Sequence, residues 1–271
     1  MTRYVKPGIA CTEQDCYTIS KRLQFISSCI REKDDLYILD IGTGYGVYRS
    51  ALLLQAARYI GIDINQSGLR QARLNDETAE LLLSSAEQLC FIDNLFDVTL
   101  LIEVLEHIPD DTKAIREAYR VLKPGGIAII TAPNKRFPLE THGFRIRSKQ
   151  IGTRGVGFPL LPYLPTAVRE HVANARVYTP EKFKKILTAT GFQLSDVAFI
   201  GPNLDRLRIN LARPRMDKTM NGLSRLINKM EHTPYINTFL STMIACCRKP
   251  EKSRTHGVAH FNDLASERNV V

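Results

Sequence analysis

Leu36-Tyr-Ile-Leu-Asp40-Ile-Gly-Thr-Gly-Tyr-Gly46 is the stretch that decides the fold. A short apolar run ends in an aspartate and then in glycines at alternate positions, the pattern of a buried strand feeding a tight turn. Residues 46–57 look helical, so the turn is expected to present free backbone N–H groups at a helix N-terminus. Gly42, Gly44 and Gly46 allow a tight turn and a close ligand approach. A dinucleotide fingerprint would need glycine at position 47, where this chain has Val47, and the lysine-containing phosphate loop is absent. A carboxylate at Asp40 suits a cationic ligand group better than a pyrophosphate.

Working outward, Tyr59–Asp63 reads as a second strand and residues 66–75 as a helix. Glu80–Ser84 reads as a weaker third strand and Phe96–Ile102 as a fourth. Residues 111–122 form a helix ended by Lys-Pro-Gly-Gly126, and Ile127–Thr131 is a fifth strand. This alternation indicates βαβ units and a mainly parallel sheet covered on both faces. Upstream, residues 13–32 are expected to be helical. Downstream, Thr179-Pro180-Glu181 is a helix start, with Thr as N-cap and Pro at N1, and the helix stops at Gly191. Residues 192–200 and 237–248 read as strands and 217–231 as an amphipathic helix. The domain is expected to span 1–250, with the polar tail 251–271 disordered.

Further motifs follow the strands in order. Asp63 ends the second strand, placed to accept from both hydroxyls of a ribose. Ser85-Ala-Glu87 follows the third, Glu103-Val-Leu-Glu-His107 the fourth, and Leu122-Lys-Pro-Gly-Gly126 precedes the fifth. Residues 36–133 resemble the class I methyltransferases, especially the group that includes the ubiquinone-biosynthesis methyltransferases. The resemblance implies a Rossmann-like, seven-stranded, mainly parallel α/β sheet with helices on both faces and its last strand antiparallel. It implies S-adenosylmethionine as cofactor, with Asp40 organising the glycine loop and the amino end of the ligand and Asp63 binding the ribose. Ala86 would meet adenine through its backbone, and Ile102-Glu103 would line the methionine end. Thr43 within the loop, Ile64 beside Asp63, and Ser85 and Glu87 complete the expected cofactor set with Gly42, Gly44 and Gly46. The chain departs from the pattern at Ser85, where relatives often have aspartate, and at Leu89-Cys-Phe91, where they often have Leu-Pro-Phe.

Methyl transfer from a sulfonium is an in-line displacement in which positioning does much of the work, and a hydroxyl acceptor also needs a base. Pro133 to Gly143 follows the fifth strand, at the edge where an acceptor belongs. His142 and Glu140 are its titratable groups and the catalytic candidates; a loop-stabilising histidine is the plainer reading. Glu103, Glu106 and His107 would share one side of a helical turn. Some relatives hold a divalent metal on similar letters, but no metal is assigned here.

Residues 134–178 exceed an ordinary βα connection and read as a lid inserted over the acceptor. They contain four prolines, four glycines and the apolar run 158–165. The chain carries a net +9 over 271 residues, and residues 135–185 hold five Lys and six Arg against three Glu, a net +8. A basic rim around an apolar centre suits a small or amphiphilic, anionic, lipid-linked acceptor or an anionic membrane surface, with O-methylation as the expected reaction. A solvated basic surface remains the plainer alternative. RNA rests on charge alone, since no RNP motif, KH loop or zinc knuckle is present; a non-catalytic cofactor-binding protein is the other alternative. The six cysteines form no CxxC pair and read as reduced thiols, with Cys246 and Cys247 on opposite faces of a strand. No apolar run is long enough to span a membrane, no signal core opens the chain, and a cytoplasmic protein is expected.

Overall fold

The computed structural model describes residues 16–30, 34–140, 144–146, 149–151, 158–159, 161–202 and 217–251. Strands β1 (Leu36–Ile41), β2 (Ala56–Asp63), β3 (Glu80–Leu83), β4 (Phe96–Leu101) and β5 (Leu122–Pro133) alternate with helices, as their apolar runs require. Short pieces follow: β6 (Leu139–Glu140), β7 (Phe144–Ile146), β8 (Lys149–Ile151) and β9 (Phe158–Pro159). Last come β10 (Gln193–Ile200) and β11 (Thr242–Arg248). The seven-stranded sheet runs in the order β10-β11-β5-β4-β1-β2-β3. β1 to β5 pair in parallel, and β11 lies antiparallel to both its neighbours.

The chain moves outward from β1 through β2 to β3, then returns to place β4 on the other side of β1. That reversal opens a crevice beyond the carboxyl ends of β1 and β4, the usual place for a ligand in an open α/β sheet.

Helices α1 (Cys16–Ile30) and α2 (Arg49–Leu52) cover one face, and α4 (Asp111–Val121) and α6 (Pro180–Ala189) cover the other. α3 (Gln66–Asn75), α5 (Thr166–Val172) and α7 (Asp217–Glu231) are the other α-helices among the described residues. Side chains alternate across the sheet as the strand period demands. Ile38, Leu100, Ile127 and Ile129 pack with Ile26, Ile30 and Leu52 on the first face. Leu39, Leu101, Ala128 and Ile130 pack with Ile115, Ala118, Phe183 and Leu187 on the second. Cys246 and Cys247 divide between these two cores, as expected, and Cys29, Cys90, Cys246 and Cys247 are not joined in disulfides.

Helix starts are capped by the residues the sequence offers. Asp110 accepts from Lys113 N, Asn65 from Ser67 N and Gly68 N, and Thr179 from Lys182 N with Pro180 following.

Three expectations need correction. Residues 46–57 are not one helix: only Arg49–Leu52 is helical, and Ala56 to Arg58 already belong to β2, paired with Leu36 and Tyr37. The fifth strand starts at Leu122, not Ile127; Lys123–Gly126 bulge out between the Phe96↔Leu122 and Val98↔Ile127 pairs, with Gly125 at φ 77°. The last strand starts at Thr242, because Ile236–Phe239 forms a 3-10 turn. The expected disorder of 251–271 concerns residues outside those described, apart from Glu251.

The 134–178 insertion is pinned at both ends. Tyr178 N donates to Pro133 O at 2.9 Å and Lys135 N to Tyr178 O at 2.8 Å, so the segment leaves and re-enters at the carboxyl end of β5. Between these points β6 pairs with β9 and β7 with β8. Tyr163 Oη ties α5's approach to the Arg136 carbonyl at 2.7 Å.

Candidate active site

The turn after β1 has the tight geometry its glycines predict, with Gly42, Gly44 and Gly46 at φ 78°, 52° and 74°. Four of its amides are already bonded. Gly42 N and Thr43 N both donate to Ile62 O, at 2.7 and 2.9 Å, and Gly46 N donates to Thr43 O. Gly44 N donates to Asp63 Oδ2 at 2.9 Å. The neighbouring strand β2 therefore satisfies the Gly42, Thr43 and Gly44 amides, and Gly46 N is bonded within the turn itself.

Gly44 and Gly42 differ in the space around them. A side chain at Gly44 would meet nothing within 4 Å, so that face of the turn is open. A Cβ at Gly42 would lie 2.2 Å from Val104 Cγ2, which brings the β1 and β4 turns together across the crevice. Gly42→Ala should lower stability by about 1–2 kcal/mol through its positive φ and this clash. Chemical denaturation would check it, and an unchanged midpoint would show that Val104 yields freely.

Asp40 lies under the turn and is buried. It accepts from Tyr59 Oη at 2.9 Å. Burial pushes its carboxyl up to about 6, against the hydrogen bonds that favour its charge. Asp63 ends β2 as expected; beyond Gly44 N, its other oxygen accepts from Asn65 N at 2.8 Å. Each carboxylate oxygen keeps a second lone pair for a ligand hydroxyl. Ile64 is 75% exposed beside it.

Ser85, Ala86 and Glu87 form a turn after β3 in which Ser85 Oγ accepts from Glu87 N. Glu87 Oε1 accepts from Asp110 N at 2.7 Å, so one of its oxygens is committed to the loop before α4.

Glu103 sits at φ 58°, a left-handed conformation rare for a side chain of its kind, and its N–H donates to Thr131 Oγ1 at 2.7 Å. Its carboxylate lies 2.7 Å from Arg22 Nη2 of α1. Leu105–His107 is a 3-10 turn, not an α-helical one, and it separates the Glu103, Glu106 and His107 trio. The Glu106 carboxyl points inward and is fully buried, whereas His107 is 51% exposed with its Nε2 4.0 Å from Glu106 Oε1. Among the described residues no three His, Cys, Asp or Glu are placed to hold a metal ion.

Glu140 lies on β6, its backbone paired with Phe158. His142 falls outside the described residues.

Two residues of this region were not anticipated. Arg22 is buried on α1, donating to Tyr48 Oη at 3.3 Å while facing Glu103. Burial works against its charge, but Glu103 and Tyr48 outweigh it and raise its pKa. The signal was present: Arg22 interrupts a helical stripe of Ile19, Ile26 and Ile30, where a cation needs a partner. Tyr178 is buried and donates to Asp111 Oδ2 at 2.9 Å and to Leu105 O at 3.3 Å.

The crevice thus combines a buried carboxylate, a buried guanidinium, a second carboxylate at the β2 end and an open glycine face. This set could hold the ammonium, carboxylate and ribose hydroxyls of S-adenosylmethionine.

The family described as Methyltransferase domain matches residues 39–130. Ubiquinone biosynthesis O-methyltransferase of Pseudomonas aeruginosa is 31% identical over 168 residues, 51% of this chain and 72% of that protein. The enzyme of the same name from Alkalilimnicola ehrlichii is 31% identical over 119 residues, 42% of this chain, and the match spans only 48% of the relative's length. Among solved structures, an S-adenosylmethionine-dependent methyltransferase from Mesorhizobium loti shares the fold at TM-score 0.58 and 16% identity, over 87% of this chain and 99% of that one. The sheet order, the residues gathered at its crevice and these relatives agree: this chain belongs to the class I S-adenosylmethionine-dependent methyltransferases.

Proposed function

We propose that this methyltransferase acts on an oxygen of an amphiphilic, anionic, lipid-linked acceptor taken up beneath the 134–178 segment. The observation that carries the reading is the closure of that segment on itself at Asn134 and Tyr178. It makes one excursion from the carboxyl end of β5, next to the crevice, and its composition is basic and apolar. The relatives' name supports an O-linked product and a lipid-linked acceptor. The 3-10 turn that follows α7 supports contact with a membrane surface: Tyr235, Ile236 and Phe239 are exposed there. Asn134 Nδ2 donates to Thr238 O and Leu240 O, which sets that turn beside the end of β5. No helix among the described residues is long and apolar enough to cross a membrane.

When bound, S-adenosylmethionine supplies an electrophilic methyl on a cationic sulfur. The residues of this chain hold and orient it. Asp40 faces the ammonium group and Arg22 the carboxylate, with Glu103 keeping the guanidinium in place. Asp63 takes the ribose hydroxyls. Ile64 and the Ser85-Ala86-Glu87 turn flank adenine, with Thr43 and the faces of Gly42, Gly44 and Gly46 against the ligand. His142 acts as the base for the acceptor hydroxyl, with Glu140 the other titratable candidate of that stretch.

Radiolabelled cofactor incubated with separated lipid, aqueous and RNA extracts tests the acceptor. Label in the lipid fraction is the expected result; label confined to RNA or to water-soluble metabolites would replace this reading. His142→Ala should lower kcat by about 10²–10⁴-fold with cofactor affinity unchanged, the scale of lost general-base catalysis. An undiminished kcat would remove His142 from the mechanism.

A further inference from the structure

Three arginines are buried among the described residues: Arg22, Arg49 and Arg169. Two of them have a carboxylate at hand. Arg22 Nη2 lies 2.7 Å from Glu103, and Arg49 Nη1 lies 3.4 Å from Asp76 while its Nη2 donates to Thr78 O. Arg169 has none. It is 7% exposed on α5, and its Nε is sealed from solvent without a hydrogen-bond partner. No described residue forms an ion pair with its guanidinium.

A guanidinium donor sealed from water without an acceptor is unfavourable, so a fold that keeps one either compensates it or supplies the group to a ligand. Its place in the last turn of α5 offsets only part of that cost, because helix-end stabilisation is typically smaller than the cost of a buried donor left unbonded.

The position of α5 says which ligand. Ala173 N donates to Arg169 O at 2.7 Å, and the chain then runs through buried Ala173, Ala175 and Val177. Arg176 N donates to Glu106 O, Arg176 Nη1 lies 3.3 Å from Asp111, and Tyr178 reaches Leu105 and Asp111. These bonds fasten the C-terminal side of α5 to the turn after β4, on the acceptor side of the crevice. Arg176 is spoken for by Asp111; Arg169, one element earlier in the same lid, is not.

We infer that Arg169 is the anion-recognition residue of the acceptor pocket, receiving the oxygen pair of an acceptor carboxylate or phosphate on its guanidinium fork. The planar fork matches either oxyanion bidentately, which an ammonium would not do. The inference rests on the proposed acceptor class, and it adds the group by which that acceptor is held.

The test uses the full chain saturated with S-adenosylhomocysteine, titrated separately with benzoate, phenyl phosphate and neutral benzamide by calorimetry. At least one of the two anions should bind, and benzamide should not; whichever binds identifies the oxyanion. Arg169→Gln should weaken that anion by about tenfold or more, as expected for a lost charge-assisted pair, and Arg169→Lys should fall between. S-adenosylhomocysteine affinity should be equal in all three proteins. Failure of the wild type to bind S-adenosylhomocysteine would strike at the methyltransferase reading, whereas failure of both anions to bind, or equal anion binding in Arg169→Gln, would overturn the inference alone. A second measurement needs no ligand. Arg169→Met should raise the melting temperature of the ligand-free protein, because it removes a sealed donor that has no partner. A lower melting temperature would assign Arg169 a structural role and overturn the inference.

Discussion

Asp63→Ala should weaken S-adenosylhomocysteine binding by about 1–3 kcal/mol, roughly ten- to a hundredfold, the scale of lost hydrogen bonds to a charged group. The side chain has two tasks at once. In the ligand-free protein it accepts from Gly44 N and Asn65 N, joining the glycine turn to the start of α3. In the proposed complex its remaining lone pairs take the ribose hydroxyls. The variant should therefore also unfold at a lower temperature, since Gly44 N loses its acceptor. Asp63→Asn separates the two tasks: its one carbonyl oxygen can still accept from a backbone amide while the charge is gone, so stability should recover more than affinity. Calorimetry on folded protein decides the matter, and unchanged affinity in Asp63→Ala would take the ribose away from β2.

Asp40 should make cofactor affinity depend on pH. Burial raises its carboxyl from an ordinary 3.8 to about 6, opposed by the Tyr59 hydroxyl and reinforced by the charge of Asp63. Between these values the folded protein holds a proton that the unfolded chain releases. The ligand-free fold therefore loses stability as pH rises through this window, by about 3 kcal/mol at 1.36 kcal/mol per pH unit. A cationic ammonium beside Asp40 reverses the preference and favours the ionised carboxylate. S-adenosylhomocysteine affinity should then climb by up to about tenfold per pH unit below 6 and level off above it. Asp40→Asn should bind weakly at every pH, lose the slope, and be the more stable protein at pH 7 without ligand. Titrations at pH 5, 6 and 7 would show this; a flat wild-type profile would place the ammonium elsewhere.

Which of these features could be read from residues alone follows from where their partners lie. β1, β4 and most of β5 were legible because both faces are buried, so their sequences are continuous apolar runs. The start of β2 was not. Ala51 to Ala57 has high helix propensity, and Arg58 is polar because it reaches the edge strand, where it pairs with Glu80 at 2.6 Å. Pairing with Leu36 and Tyr37 overrode the local preference there. The alternating glycines announced the turn's conformation but not the fate of its amides, since the acceptor, Ile62 O, comes from another strand. Glu103, Glu106 and His107 looked like one face only under the assumption of an α-turn; the left-handed Glu103 and the 3-10 turn break that spacing. Arg22 and Arg169 act through burial, which a charged letter does not disclose.

The position of β11 has a consequence for how the chain is made. This strand enters the sheet between β5 and β10, and its residues Thr242 to Cys247 are all buried. A nascent chain extended only to Leu240 holds β5 and β10 with unpaired edges facing an empty slot. Such edges template association with other chains. The interior of the sheet thus closes last, by insertion, after β5 has waited for more than a hundred residues of synthesis; Asn134, bonded to Thr238 O and Leu240 O, marks where the arriving segment docks. Long-range closure of this kind is slow. Chaperone dependence during synthesis should therefore be set by the last strand rather than by the glycine turn that defines the site.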